Sequence, residues 1–84
     1  MAGAVHTEVY QRFLKALIQK RSDLGFSQAD LASLLGKPPS FVGKYELGER
    51  RLDVVEVFVI LKAQGVVPLE FLDECMTGLP AKLK

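Results

Sequence analysis

The most constraining feature of the sequence is the stretch "GKPPS" at residues 36–40, where two adjacent prolines follow a glycine. A residue that precedes proline is driven toward extended geometry, so Lys37 and Pro38 are poorly suited to a helix. Glycine is common at the ends of helices, so Gly36 suits the end of one helix. Pro39 suits the first position of the next helix, where its missing N–H is not needed. The stretch therefore predicts a tight turn of about four residues between two helices.

The segments on both sides of this turn have helical patterns. Before it, Ser27 is a ready N-cap, and Asp30 follows three residues later, as in a capping box. The buried side of this helix is predicted to comprise Leu31, Leu34 and Leu35. After the turn, Val42 and Tyr45 lie three residues apart in "SFVGKYEL", and this predicts a short helix over about 39–47. The pair of helices spans about residues 28–47.

Three further helices are predicted. The first begins after a candidate N-cap at Thr7, shows an apolar stripe from Tyr10 to Ile18 and ends near Gly25. The fourth follows a candidate N-cap at Asp53 and ends at Gly65; it is apolar nearly all round, and Val54, Val57, Ile60, Leu61 and Gln64 share one face. The last helix covers about residues 68–76. The sequence thus predicts an all-α, five-helix bundle, with no convincing strand.

Length and charge restrict the class of protein. A chain of 84 residues forms one domain, 1–84, with little room for a second core. The net charge of +1 is too small for a general polyanion binder. Any nucleic-acid surface must therefore arise from the distribution of the charges.

Membrane, disulfide, metal and catalytic features are not evident in the sequence. The single Cys75 cannot form an internal disulfide, which fits a reducing, cytoplasmic setting. No apolar run approaches the roughly 20 residues needed to span a bilayer, and no signal peptide is recognised. His6 has no Cys or carboxylate neighbours at metal-ligand spacing. We expect no enzyme, no metal, no cofactor and no membrane partner.

The stretch "LGFSQADLASLLGKPPSFVGKYELGERRL", residues 24–52, resembles the Cro and phage-repressor-like (Xre-type) helix-turn-helix family of transcriptional regulators. It is similar to that family in its Gly-apolar-Ser-Gln opening, its Leu-Ala and Leu-Gly pairs, and its Glu and Gly followed by basic residues. With the first and fourth helices, the resemblance covers roughly residues 9–67. It implies a helix-turn-helix whose second helix enters the major groove of double-stranded DNA.

The resemblance also implies roles for individual residues. The positions that face base edges are Pro39, Ser40, Gly43 and Lys44. The positions assigned to the DNA backbone are Gln28, Lys37, Phe41, Arg50 and Arg51. Arg21 and Glu46 match an internal ion pair between the first and third helices. Each charged or polar position in the first two groups also has a plainer interpretation as an ordinary solvated side chain.

Two departures from the family pattern affect base reading. Many relatives have a hydroxyl cap and a polar reading residue where this chain has Pro38 and Pro39. Gly43 has no side chain, and it costs helix stability by about 1 kcal/mol relative to alanine. Base reading is therefore expected to depend mostly on Ser40 and Lys44, with DNA shape contributing.

The C-terminal half carries more apolar residues than one small core requires. The candidates for an intermolecular surface are Val55, Phe58, Val59, Leu69, Phe71 and Leu72. These residues fit a homodimer interface, which would let two copies read a near-palindromic site. Two alternatives remain: the C-terminal helix covers them, or they bind another protein, as in an antitoxin-like interaction module on the same fold.

Overall fold

The fold is described from a computed structural model over residues 8–79 and residue 81. This part of the chain contains five helices and no strand. In chain order they are α1 (Glu8–Asp23), α2 (Gln28–Leu35), α3 (Ser40–Glu46), α4 (Val54–Ala63) and α5 (Pro68–Cys75). The predicted all-α, five-helix fold is confirmed over these residues. The expected N-cap Thr7 and the isolated His6 lie outside them.

The hydrophobic core lies where α1, α2, α3 and α4 meet, and it includes Phe71 of α5. Its largest fully buried side chains are Tyr45, Leu14, Leu17, Leu31, Ile60, Leu61 and Val42. Each buried large apolar side chain contributes about 1.5–3 kcal/mol relative to an exposed one. Burial also raises the pKa of the Tyr45 phenol above its ordinary value of 10, because a buried site disfavours the charged phenolate. Two of these residues, Val42 and Tyr45, belong to α3 and hold that short helix on the bundle.

Capping boxes begin α2 and α4. The Ser27 hydroxyl accepts from the Asp30 amide at 2.9 Å, and the Asp30 carboxylate accepts from the Ser27 amide at 3.0 Å. In α4 the Asp53 carboxylate accepts from the Glu56 amide at 2.8 Å, and Glu56 accepts from the Asp53 amide at 3.0 Å. Both boxes satisfy backbone donors that a helix start leaves free, and they fix where each helix begins.

The turn between α2 and α3 takes its shape from the glycine and the prolines. Gly36 ends α2 in the left-handed conformation, with φ of 68°, and Lys37 donates its amide to the Ala32 carbonyl at 2.9 Å. Pro39 occupies the N-cap of α3 with φ of −55° and offers no side-chain cap. Its helical backbone leads directly into Ser40, so the proline sets the direction in which α3 leaves the turn.

Three expectations about burial are wrong. Leu34 was expected inside but is 54% exposed, because the eight-residue α2 buries Leu31 and Ala32 instead. Val54 was grouped on one face of α4 with Val57 and Ile60, which are buried, but Val54 is 68% exposed because it occupies the first position of that helix. Phe71 was assigned to an intermolecular surface, yet it lies in the core at 6% exposure.

The other five residues of the expected intermolecular surface have outward-facing area. Val55, Val59 and Leu69 are exposed, whereas Phe58 and Leu72 are half-buried. Among the residues expected on an intermolecular surface, two valines of α4 and one leucine of α5 are thus exposed. Within residues 8–79 and 81, no helix combines the length and apolar character needed to cross a membrane.

Candidate nucleic-acid interface

The outward side of α3 forms the centre of the candidate site. Val42 and Tyr45 turn inward and are almost fully buried, so the opposite side of the helix faces solvent. Residues spaced three or four apart share a helix face. The exposed side comprises Pro39, Ser40 and Lys44 with the half-buried Gly43 among them. The four residues that the resemblance assigned to base reading therefore lie together on one surface.

A largely buried ion pair links the end of α3 to α1. Arg21 of α1 donates Nε to Glu46 Oε2 at 2.7 Å and Nη2 to Glu46 Oε1 at 3.1 Å. It also donates Nη1 to the Phe26 carbonyl at 2.9 Å. The Glu46 side chain is only 5% exposed, and its hydrogen bonds to Arg21 raise the pKa of the guanidinium. This is the pair of residues that the family resemblance implied.

Gln28, at the start of α2, is held against α3. Its Nε2 donates to Glu46 Oε1 at 2.8 Å, so Glu46 receives hydrogen bonds from both α1 and α2. The Gln28 amide lies over Gly43: a β-carbon added there would be 3.6 Å from Gln28 Oε1. The side chain expected at a DNA phosphate thus contacts the exposed side of α3 in the free protein.

Replacing Gly43 with alanine is expected to stabilise the protein by about 1 kcal/mol, because Gly43 is helical and the new methyl would meet Gln28 at ordinary contact distance. For a domain of this size, the melting temperature should rise by about 4–8 °C. Thermal unfolding followed by circular dichroism measures it. The matched control is Gly36→Ala, which should lower the melting temperature because φ is 68° there. Equal shifts in both variants would contradict this interpretation.

Phe41 has two cations near its ring, beside the exposed side of α3. Lys37 Nζ lies 5.5 Å and the Arg50 guanidinium carbon 5.0 Å from the centre of the Phe41 ring. The ring meets Tyr45 edge-on, with 5.7 Å between centroids. A cation over an aromatic face is attracted by the quadrupole of the ring, so Phe41 helps to position the two positive charges. The buried Tyr45 packs against Phe41 and supports its ring. This places Phe41 as a support for charged side chains.

Arg50 is already paired within the protein. Its Nη2 and Nη1 donate to the two carboxylate oxygens of Glu56 at 2.6 Å and 3.1 Å. Together with the Asp53 amide, these bonds hold the pKa of Glu56 at about 2, below its ordinary value of 4.5. Arg50 was expected to be available for the DNA backbone; Glu56 instead offsets much of its charge in the free protein.

The pairing gives a defined pH dependence. Glu56 has a lower pKa in the folded protein than in the unfolded chain, so its contribution to stability is present above about pH 4.5 and is lost as pH falls toward 2. Glu56→Gln should therefore lower the melting temperature at pH 7, and the difference from the unmodified protein should shrink below pH 4.5. Melting curves between pH 2.5 and 7 test this. A difference that stays constant across that range would contradict the assignment.

Arg51 lies over a different aromatic ring. Its guanidinium carbon is 4.6 Å from the centre of the Tyr10 ring, and the Tyr10 hydroxyl accepts from the Leu52 amide at 3.3 Å. The loop after α3 is thereby anchored to α1. Arg51 remains exposed, on the same connection as Arg50.

Sequence reasoning missed one residue and one contact that shape this surface. Glu56 was not singled out, although a carboxylate three residues after an Asp N-cap is the signature of a capping box. The contact between Gln28 and Glu46 joins residues 18 positions apart in the chain. No local pattern indicates it.

Comparisons with known proteins agree with this architecture. A sequence model of the helix-turn-helix family matches residues 17–72. A solved structure described as an XRE-family like protein from Pseudomonas syringae pv. tomato str. DC3000 superimposes with a TM-score of 0.82 at 39% sequence identity. The similarity covers 92% of this chain and 94% of that one.

The chain belongs to the Xre-type helix-turn-helix family. As a member of this family it is a DNA-binding regulator, and the family is not one of enzymes. A search among curated proteins finds no match. Within this Xre-type fold, α2 and α3 are the two helices of the motif, and α3 holds the position of the recognition helix.

Proposed function

We propose that this protein binds double-stranded DNA sequence-specifically as a homodimer, placing α3 in the major groove of a near-palindromic operator. The observation that supports this best is the division of α3 into two sides. Val42 and Tyr45 anchor one side in the core, and the other presents Pro39, Ser40 and Lys44 to solvent. A short helix held in this way can enter the groove without loss of core contacts.

The proposed contacts divide into two groups. Ser40 can pair with several base edges, and Lys44 can donate to guanine O6 or N7. Lys37 and Arg51 lie on either side of α3 in the chain and are exposed, so they are the proposed contacts to phosphates. Arg50 can join them only by giving up part of its pairing with Glu56.

The proposed dimer forms through the exposed apolar residues of α4 and α5. Val55, Val59 and Leu69 are all more than half exposed, and exposed apolar clusters commonly mark protein contacts. A two-fold axis at this surface would set two α3 helices about one DNA turn, roughly 34 Å, apart. The same observation supports a second candidate function, in which this surface binds a different protein in an antitoxin-like manner.

Selection of bound duplexes from a random pool at near-physiological salt tests the proposed function. Enrichment of a two-fold-symmetric site is expected, with half-sites about one turn apart. Sedimentation of the Val55→Asp/Val59→Asp variant should show a monomer where the unmodified chain is a dimer, whereas Leu24→Asp, at an exposed leucine after α1, should remain dimeric. Absence of enrichment would overturn sequence-specific binding. A monomeric unmodified chain on and off DNA would overturn the dimer and favour a separate protein partner.

A further inference from the structure

The hydrogen bond to Glu46 shows which end of the Gln28 side-chain amide is the NH2 group and which is the carbonyl. Glu46 is hydrogen-bonded to Arg21 as a carboxylate, and a carboxylate accepts hydrogen bonds but cannot donate them. The Gln28 group 2.8 Å from Glu46 Oε1 must therefore be the NH2, which leaves the carbonyl oxygen at the other end of the amide. Gln28 thus offers a positioned acceptor.

That acceptor lies where a side chain of α3 is missing. Gly43 lies between Ser40 and Lys44 on the side of α3 proposed to face bases, and it has no side chain that could contact a base. The Gln28 carbonyl oxygen lies 3.6 Å from the place where a β-carbon at position 43 would be. Gln28 is itself exposed, so its amide lies over Gly43 and remains open to solvent. A residue of α2 therefore supplies the polar group that position 43 lacks.

A fixed carbonyl oxygen discriminates between bases. In the major groove, adenine N6 and cytosine N4 are donors, whereas guanine O6 and thymine O4 are acceptors. The Gln28 oxygen can pair with the first two and is repelled by the second two. The hydrogen bond to Glu46 restricts the side chain before binding, so less conformational entropy is lost when a base is contacted.

We propose that Gln28 is a specificity-determining residue, which reads the amino group of an adenine or cytosine through its side-chain carbonyl over Gly43. This inference rests on the proposed function, because it requires α3 to lie in the major groove. It differs from the backbone role that the family resemblance implied, in which Gln28 contacts a phosphate on any sequence.

The test compares the unmodified protein with Gln28→Ala on duplexes in which each position of a selected half-site carries each of the four bases. At one position the unmodified protein should prefer adenine or cytosine on one strand by about 5- to 150-fold. Gln28→Ala should lose that preference and keep its preferences at all other positions. Melting curves of both proteins exclude unfolding as the cause.

Gln19→Ala is the matched control. Gln19 is an exposed glutamine that donates its amide to Asp23 at 2.7 Å, on α1 and away from α3. Its replacement should alter neither affinity nor base preference. A Gln28→Ala variant that loses affinity equally on all sequences, or keeps every preference, would overturn the inference while leaving the proposed function standing. An unmodified protein with no preference at any position would overturn both.

Discussion

Replacing Glu46 with alanine is expected to lower the free energy of unfolding by about 3–5 kcal/mol, the usual cost of removing one partner from a buried ion pair. The Arg21 guanidinium would lose two hydrogen bonds, and its side chain is only 14% exposed beside Glu46. Gln28 would lose its partner as well. For a domain of this size, each kcal/mol corresponds to about 4–8 °C, so the melting temperature should fall by more than ten degrees.

Chemical denaturation and thermal melting measure this effect, with Glu49→Ala as the control. Glu49 is an exposed carboxylate in the connection after α3, and its removal should change stability by no more than about 0.5 kcal/mol. The double variant Arg21→Met/Glu46→Leu should recover much of the loss, because two apolar side chains leave no buried charge unpaired. If the Glu46→Ala variant had the same melting temperature as the unmodified protein, the ion pair would not be what holds α3 in place.

Replacing Lys44 with alanine should remove selectivity at one position of each half-site. A well-placed contact to a base edge discriminates by about 1–3 kcal/mol, which is about 5- to 150-fold in relative affinity. Lys44 is the exposed cation in the last turn of α3, so it is positioned to donate to guanine once the helix lies in the groove. Competition between duplexes that differ at single positions measures the change.

Two further variants separate base reading from backbone contact. Arg51→Ala should weaken binding to every sequence and reduce the slope of log affinity against log salt by about 1. Lys62→Ala, at an exposed lysine of α4, should leave both affinity and selectivity unchanged. If Lys44→Ala behaved like Arg51→Ala, with an equal loss on specific and random DNA, Lys44 would be a phosphate contact instead of a reader.

Much of the fold could be predicted because its signals are local. Ser27 and Asp53 fix helix starts through side chains only three residues from their targets, and Gly36 and Gly25 end helices through a conformation that glycine adopts readily. The prolines at 38 and 39 defined the turn. These features depend on neighbours within a few residues, so one sequence was enough to place them.

Burial and pairing were harder to predict because they depend on the tertiary arrangement. Leu34 has the spacing of a buried residue, yet α2 is covered on one side only, and Leu34 lies beyond that contact. Arg50 looked like an available cation until the start of α4 brought Glu56 within 2.6 Å. The ion pair of Arg21 and Glu46 came from the family resemblance, since no local rule connects residues 25 positions apart.

The position of Gln28 over Gly43 has a consequence for protein engineering. Exchanging recognition helices between relatives assumes that one helix carries the whole reading surface. In the role proposed for Gln28, part of that surface comes from α2 and is held there by Glu46. A graft of residues 39–45 alone from this protein into a relative would not transfer Gln28 or Glu46. Transfer of the full preference should require positions 28, 43 and 46 to move together as a single unit.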